Sequence, residues 1–315
     1  MGLFNLKLLR YLIDEIKKEN PDIIHYNGLE LIGFYLALAS KIAGVKNRIL
    51  AVHGSSLEAR NYNFLKKNII NVYEMITIIL STKIYGVSDY VSNWKRLRYL
   101  NKKYVGTIYN ISKNHGESEE NINFKKENKI NEDEIIIVST GRINKEKGYD
   151  ILLEVIRRLD LQLKKIKYKF LIVGSGEYLE EMKKESQKYK LESKIRFLGY
   201  REDIDRILKN SDIFVICTKH ETLCMSILEA SNNKLPVIAP KVGGIPEIIE
   251  DGYNGFLIEP ENILQYVEKL KLLIEKENLR LELGKNGYNK IKEKFLEKKI
   301  LRQLDNLYKE LLEKK

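Results

Sequence analysis

Residues 213–240 read IFVICTKHETLCMSILEASNNKLPVIAP, and this stretch decides the fold. Ile213 to Cys217 is an unbroken apolar run, the pattern of a strand covered on both faces. Thr218 to Thr222 is polar and reads as a turn. From Leu223 the apolar positions recur at three and four residues, the spacing of a helix with one face against a sheet. Leu235 to Ala239 is a second apolar run. Strand, helix and strand in this order predict a βαβ unit, whose strands lie parallel beneath the crossover helix.

The same alternation extends in both directions. Downstream of residue 131, strands are expected near 134–140, 168–173, 194–198, 212–217, 235–239 and 255–258, with helices between them and helix from about 261 to the end. Upstream, a helix over Leu3 to Lys18 precedes strands at 22–26, 48–52, 84–87 and 105–109, with a long helix from about Tyr62 and a basic helix after residue 87. The class is α/β, with two Rossmann-like halves. Residues 112–133 (SKNHGESEENINFKKENKINED) are polar and mixed in charge, and read as the linker. The expected domains are 1–131 and 132–300, followed by a terminal helix over 301–315.

Two carboxylates are spaced within the deciding stretch. Glu221 stands at the helix mouth and Glu229 two turns deeper, and at ~1.5 Å per residue the pair is roughly 12 Å apart along the axis, about the reach from sugar to ribose in a nucleotide sugar. A carboxylate accepts both protons of a vicinal diol, which suits Glu229 to a ribose. Arg142 and Lys147 follow the strand at 134–140 and precede a helix, where cations and free backbone N–H groups together bind phosphate. Lys145 competes with Lys147 for that place. Asp203 and Asp205 imitate a metal-binding pair, but acidic residues at a helix start also suit the helix dipole, and that second reading is the one adopted.

Several pieces occur in order: Ser139-Thr140-Gly141-Arg142 with Lys147-Gly148, Val173-Gly174-Ser175-Gly176-Glu177, Phe197-Leu198-Gly199-Tyr200, then Glu221 and Glu229 followed by Ala230 and Leu235-Pro236-Val237-Ile238-Ala239, then Val242-Gly243-Gly244-Ile245-Pro246-Glu247. This series resembles glycosyltransferase family 4, retaining enzymes of the GT-B fold. The resemblance implies a nucleotide-sugar donor held by the second domain and a saccharide or lipid-linked acceptor in surface polysaccharide synthesis. It gives Arg142 and Lys147 the donor diphosphate, Glu221 the transferred sugar and Glu229 the ribose. Gly141, Gly243 and Gly244 would add amides, and Tyr200 and Arg201 would line the base. His53, after the second upstream strand, matches a histidine set against the donor sugar. Ser88 falls in another family-like segment. Thr222, Leu223 and Cys224 stand where the family carries Gly-Phe-Gly. No metal or other cofactor is expected, and the terminal helix is expected to return to the first domain.

The same resemblance implies further segments before the first helix of this chain. The amino-terminal domain is therefore expected to be incomplete, and a partner chain that completes it is one expectation. A transfer-inactive nucleotide-sugar-binding or partner subunit is an alternative function, and a sugar-nucleotide epimerase of the same fold ranks lower.

With 43% hydrophobic and 31% charged residues over 315 positions, the chain has the composition of two folded domains rather than of a disordered segment. Leu31 to Ala39 is too short an apolar run to span a bilayer. Two cysteines, Cys217 and Cys224, are too few for a disulfide framework and favour a cytoplasmic setting. Of the net charge of +11, residues 1–131 hold 20 Lys/Arg against 12 Asp/Glu. Trp94 to Tyr104 interleaves cations with aromatics, which fits a peripheral contact with anionic lipid at the inner membrane face. It fits a solvated helix face equally well, and nucleic acid is not an expected partner.

Overall fold

The computed structural model of the chain describes residues 4–29, 31–55, 57, 62–98, 102–111, 123–163 and 166–313. It divides into two compact units, one of Met1–Asn110 with Glu297–Lys315 and one of Ile111–Leu296.

In the first unit four parallel strands, β1 (Ile23–Asn27), β2 (Asn47–Val52), β3 (Lys83–Gly86) and β4 (Tyr104–Thr107), pair in chain order. Ile49, Leu50, Val52 and Ile84 are fully buried, as strands covered by helices must be. The first helix runs Leu6–Glu19, where the Asn5 side chain accepts from the Leu8 N–H at 3.0 Å and caps it, and Leu3 lies outside the described residues. The helix Glu297–Glu313 belongs to this unit and buries Ile300, Leu307 and Leu311. Its Tyr308 hydroxyl lies 2.7 Å from Nδ1 of His25 in β1, whose Nε2 lies 3.0 Å from the Tyr85 hydroxyl in β3. Burial and the neighbouring His53 lower the pKa of His25, so the imidazole joins these hydroxyls in its neutral form.

The basic helix expected after residue 87 is a single turn over Lys95–Arg98, and Tyr99, Leu100 and Asn101 lie outside the described residues. The cations there have other work. Arg96 donates to Glu74 at 2.5 Å and stacks on Trp94, and Lys103 donates to the Ile79 carbonyl at 2.6 Å. Ser88 is buried and caps a helical turn by accepting from the Val91 N–H at 3.2 Å.

The second unit holds β5 (Ile135–Thr140), β6 (Tyr168–Val173), β7 (Ile195–Gly199), β8 (Ile213–Val215), β9 (Val237–Pro240) and β10 (Gly255–Ile258), all parallel, in the order β10-β9-β8-β5-β6-β7. The winding reverses between β5 and β8, which pair through Ile137↔Ile213. At such a reversal the loops leaving the two strands part to opposite faces and leave a crevice at their carboxyl ends. The helices Tyr149–Gln162 and Ile263–Glu275 enclose a core around Phe170, Ile172 and Val215.

The boundary falls at Asn110/Ile111, not near 131, because the end of the expected linker folds onto the second unit. Phe124–Glu127 is a helical turn with Phe124 buried, Arg206 stacks on the Phe124 ring, and Arg206 pairs with Glu127 at 2.5 Å. Residues 112–122 of that segment lie outside the described residues.

Candidate functional site

A cavity of about 870 Å³ opens at the carboxyl ends of β5 to β8, at the reversal of winding. Each strand contributes the residues that follow it: Gly141 and Arg142 after β5, Gly174 and Ser175 after β6, Tyr200 and Arg201 after β7, Thr218 and Glu221 after β8. Glu229 reaches it from the helix Met225–Asn232.

The turn after β5 is built by close backbone approach. Gly148, at φ +70°, opens the helix Tyr149–Gln162, and a Cβ there would stand 1.8 Å from the Cys217 carbonyl oxygen. Buried Asn144 accepts from the Lys147 N–H at 2.8 Å and fixes where that side chain leaves the loop. Lys147 lines the cavity and donates to Glu221 at 2.5 Å. Arg142 also lines it, is exposed, and makes no hydrogen bond or ion pair among the described residues. Lys145 is turned away, paired with Glu181 at 2.9 Å and set over the Tyr178 ring, so of the two lysines Lys147 is the one that faces the cavity.

Across the crevice, the Gly244 N–H donates to the Glu221 carbonyl at 3.2 Å, and a Cβ on Gly243 would stand 1.6 Å from that oxygen. The two glycines hold the backbone of Glu221 and Thr222. Neither they nor Thr222 are among the residues lining the cavity, whereas Leu223 and Cys224 form part of its wall. Burial pushes the Cys224 thiol up to about 12, so it is a neutral wall group. The helix begins at Met225, two residues later than its apolar spacing suggests. Glu221 therefore lies on a non-helical turn, and a helical rise does not measure its separation from Glu229.

Tyr200 stands at the rim, 74% exposed. Arg201 is clamped to Asp203 by contacts of 2.7 and 2.6 Å, which commits its guanidinium. Asp205 pairs with Lys209 at 2.9 Å.

Comparison with known proteins bears on the family and the fold. The sequence profile of the family described as Glycosyl transferases group 1 matches residues 120–290, more than half of the chain, and that of Glycosyl transferase 4-like matches residues 2–83. An uncharacterised glycosyltransferase of Methanocaldococcus jannaschii is 30% identical over 330 residues, covering 99% of this chain and 80% of that protein. The chain belongs to the glycosyl transferases group 1 family. A UDP-Gal:alpha-D-GlcNAc-diphosphoundecaprenol alpha-1,3-galactosyltransferase of Escherichia coli is 27% identical over 318 residues, covering 96% of this chain and 79% of that protein. The structure of Anabaena HepE in complex with UDP and glucose superposes with a TM-score of 0.82 at 19% identity, covering 96% of this chain and 81% of that one. A Staphylococcus aureus TarM structure, with a TM-score of 0.77 at 22% identity and 95% of this chain covered, is longer, and the chain spans 58% of it. The two parallel-sheet units are those of the GT-B fold.

In this glycosyltransferase every residue lining the cavity belongs to the second unit, and His53 belongs to the first. His53 follows β2, has the Asn110 amide 3.5 Å from its Nδ1, and is held neutral by burial. Tyr149, Ser175 and Ser226 line the cavity although apolar spacing does not single them out. Ser226 had a signal, since three residues before Glu229 on one helix it shares that residue's face.

Proposed function

We propose that this glycosyltransferase moves a sugar from a nucleoside diphosphate sugar to a saccharide or lipid-linked acceptor, with retention of anomeric configuration and without a metal. The observation that carries this reading is the convergence on one cavity of Arg142, which has no partner among the described residues, Lys147, Glu221 and Glu229 at the reversal of a parallel sheet. Two cations there match a diphosphate. Glu229 accepts the ribose hydroxyls, Glu221 accepts hydroxyls of the transferred sugar, and exposed Tyr200 offers its ring to the base. The bond from the anomeric carbon to the diphosphate breaks, and the acceptor oxygen bonds to the same sugar face as its proton passes to the departing phosphate. Arg142, Lys147 and the N–H groups at the start of the helix Tyr149–Gln162 meet the charge that develops on the leaving group. The E. coli relative's diphosphoundecaprenol acceptor supports the lipid-linked class.

A test is to offer UDP- and GDP-sugars with undecaprenyl-diphosphate saccharides and to read the anomeric proton coupling of the product by NMR. Retention is expected, with activity unchanged in EDTA; an inverted product or loss of turnover in EDTA contradicts the reading. Peripheral membrane contact belongs to the same proposal. With Arg96 and Lys103 engaged internally, exposed Lys95 and Lys102 are left to make it. Lys95→Glu with Lys102→Glu is expected to release the protein from anionic liposomes, and unchanged co-sedimentation would leave those lysines as solvated surface.

A further inference from the structure

Of the three cations lining the cavity Arg201 is committed to Asp203, and the other two differ in state. Arg142 is unpartnered among the described residues, whereas Lys147 is held by Glu221 at 2.5 Å, with side-chain exposures of 38% and 15%. Both ends of this pair are anchored through their main chains, Lys147 by buried Asn144 and Glu221 by the Gly243-Gly244 turn. The pair can therefore open and close by side-chain rotation alone, with no movement of the loops.

We propose that Glu221 is an internal competitor of the diphosphate for Lys147, so that it weakens the hold on the nucleoside diphosphate product. This rests on the reading of the cavity as a nucleotide-sugar site. A bound diphosphate brings two or three negative charges to the lysine where Glu221 brings one, and so displaces it. The displaced carboxylate then either meets sugar hydroxyls or has nothing to accept from. With an intact nucleotide sugar it gains those hydroxyls, which offset the lost ion pair; after transfer the sugar is gone, and the ion pair to Lys147 is lost with nothing to replace it for as long as the diphosphate stays bound. The same side chain thus supports the donor and opposes the product.

The experiment is calorimetric titration of UDP, GDP and inorganic pyrophosphate into the full chain and into Glu221→Gln, Lys147→Met and the double variant. Glu221→Gln keeps the shape and removes the charge. It is expected to bind pyrophosphate and the accepted nucleoside diphosphate about threefold to tenfold tighter than the unaltered protein, the scale of a half-exposed ion pair. In the Lys147→Met background the same substitution is expected to change affinity by less than about twofold. Unchanged or weaker binding by Glu221→Gln overturns the proposal, as does an equal gain in both backgrounds, which would make Glu221 a source of repulsion and not a competitor for the lysine. Failure of the site reading looks different: none of the three probes binds, or Arg142→Ala binds them as well as the unaltered protein does, and the proposal then falls with it.

Discussion

A glutamate–cation pair of the first unit, Glu74 with Arg96, and one of the second, Glu221 with Lys147, are equally short and do opposite things. Glu74 in the first unit is 1% exposed, takes Arg96 at 2.5 Å and accepts from the Ser55 hydroxyl, which lies 2.7 and 2.9 Å from its two oxygens, while Trp94 covers the guanidinium. Its carboxylate is satisfied, and the contacts tie the loop after β2 to the long helix Phe64–Leu80 and to the turn at Lys95–Arg98. Glu221 in the second unit meets Lys147 at the same distance but on a cavity wall. A charge pair whose carboxylate is closed off from solvent is scaffold, since removing the cation strands that carboxylate. A charge pair on a cavity wall is exchangeable, because a ligand or water replaces either partner.

The contrast breaks first in stability. Arg96→Ala leaves Glu74 buried without its cation and is expected to lower unfolding free energy by about 3–5 kcal/mol. Lys147→Met leaves Glu221 facing the cavity and is expected to change it by less than about 1 kcal/mol. Urea unfolding of the two variants checks this, and equal losses would erase the distinction between scaffold and site.

A smaller effect sharpens it through pH. His25 and His53, both in the first unit, have pKa values lowered from 6.5 by burial. The unfolded chain binds protons that the folded chain refuses, so their contribution to stability is complete above pH 6.5 and falls as pH drops from there toward the folded values. Melting temperature is expected to decline between pH 6.5 and about 5, and His25→Gln with His53→Asn is expected to flatten that slope. A slope unaffected by the double substitution would assign it to other groups.

Smallest of all should be Lys145→Ala. Its cation is paired with Glu181 away from the cavity, so nucleotide affinity is expected to stay within about twofold, in contrast to Lys147→Ala. A large loss would mean that the wrong lysine of this turn has been assigned.

These same contacts mark what could be read in the sequence. The strands of the second unit announce themselves as apolar runs, and Arg142, Lys147, Glu221 and Glu229 stand at positions set by strand ends and helical spacing, so the cavity's charged groups are legible locally. The helix start is not. Met225 opens it because the preceding residues are held in a turn whose partners, Gly243 and Gly244, lie a strand further on. Trp94 to Tyr104 misleads for a similar reason: Arg96 and Lys103 look free until Glu74 and the Ile79 carbonyl arrive from the preceding helix. Phe124 sits in a polar stretch, and its burial and the Arg206 contact show that it belongs to the second unit.

On this account the cavity binds the diphosphate of a nucleotide sugar through Arg142 and Lys147 and its ribose through Glu229, and titration of UDP and GDP followed by calorimetry tests it most directly. Saturable binding of at least one of them is expected, weakened by about 1.5–3 kcal/mol, roughly tenfold or more, in Arg142→Ala and in Glu229→Ala. Affinity unchanged in both variants would contradict it.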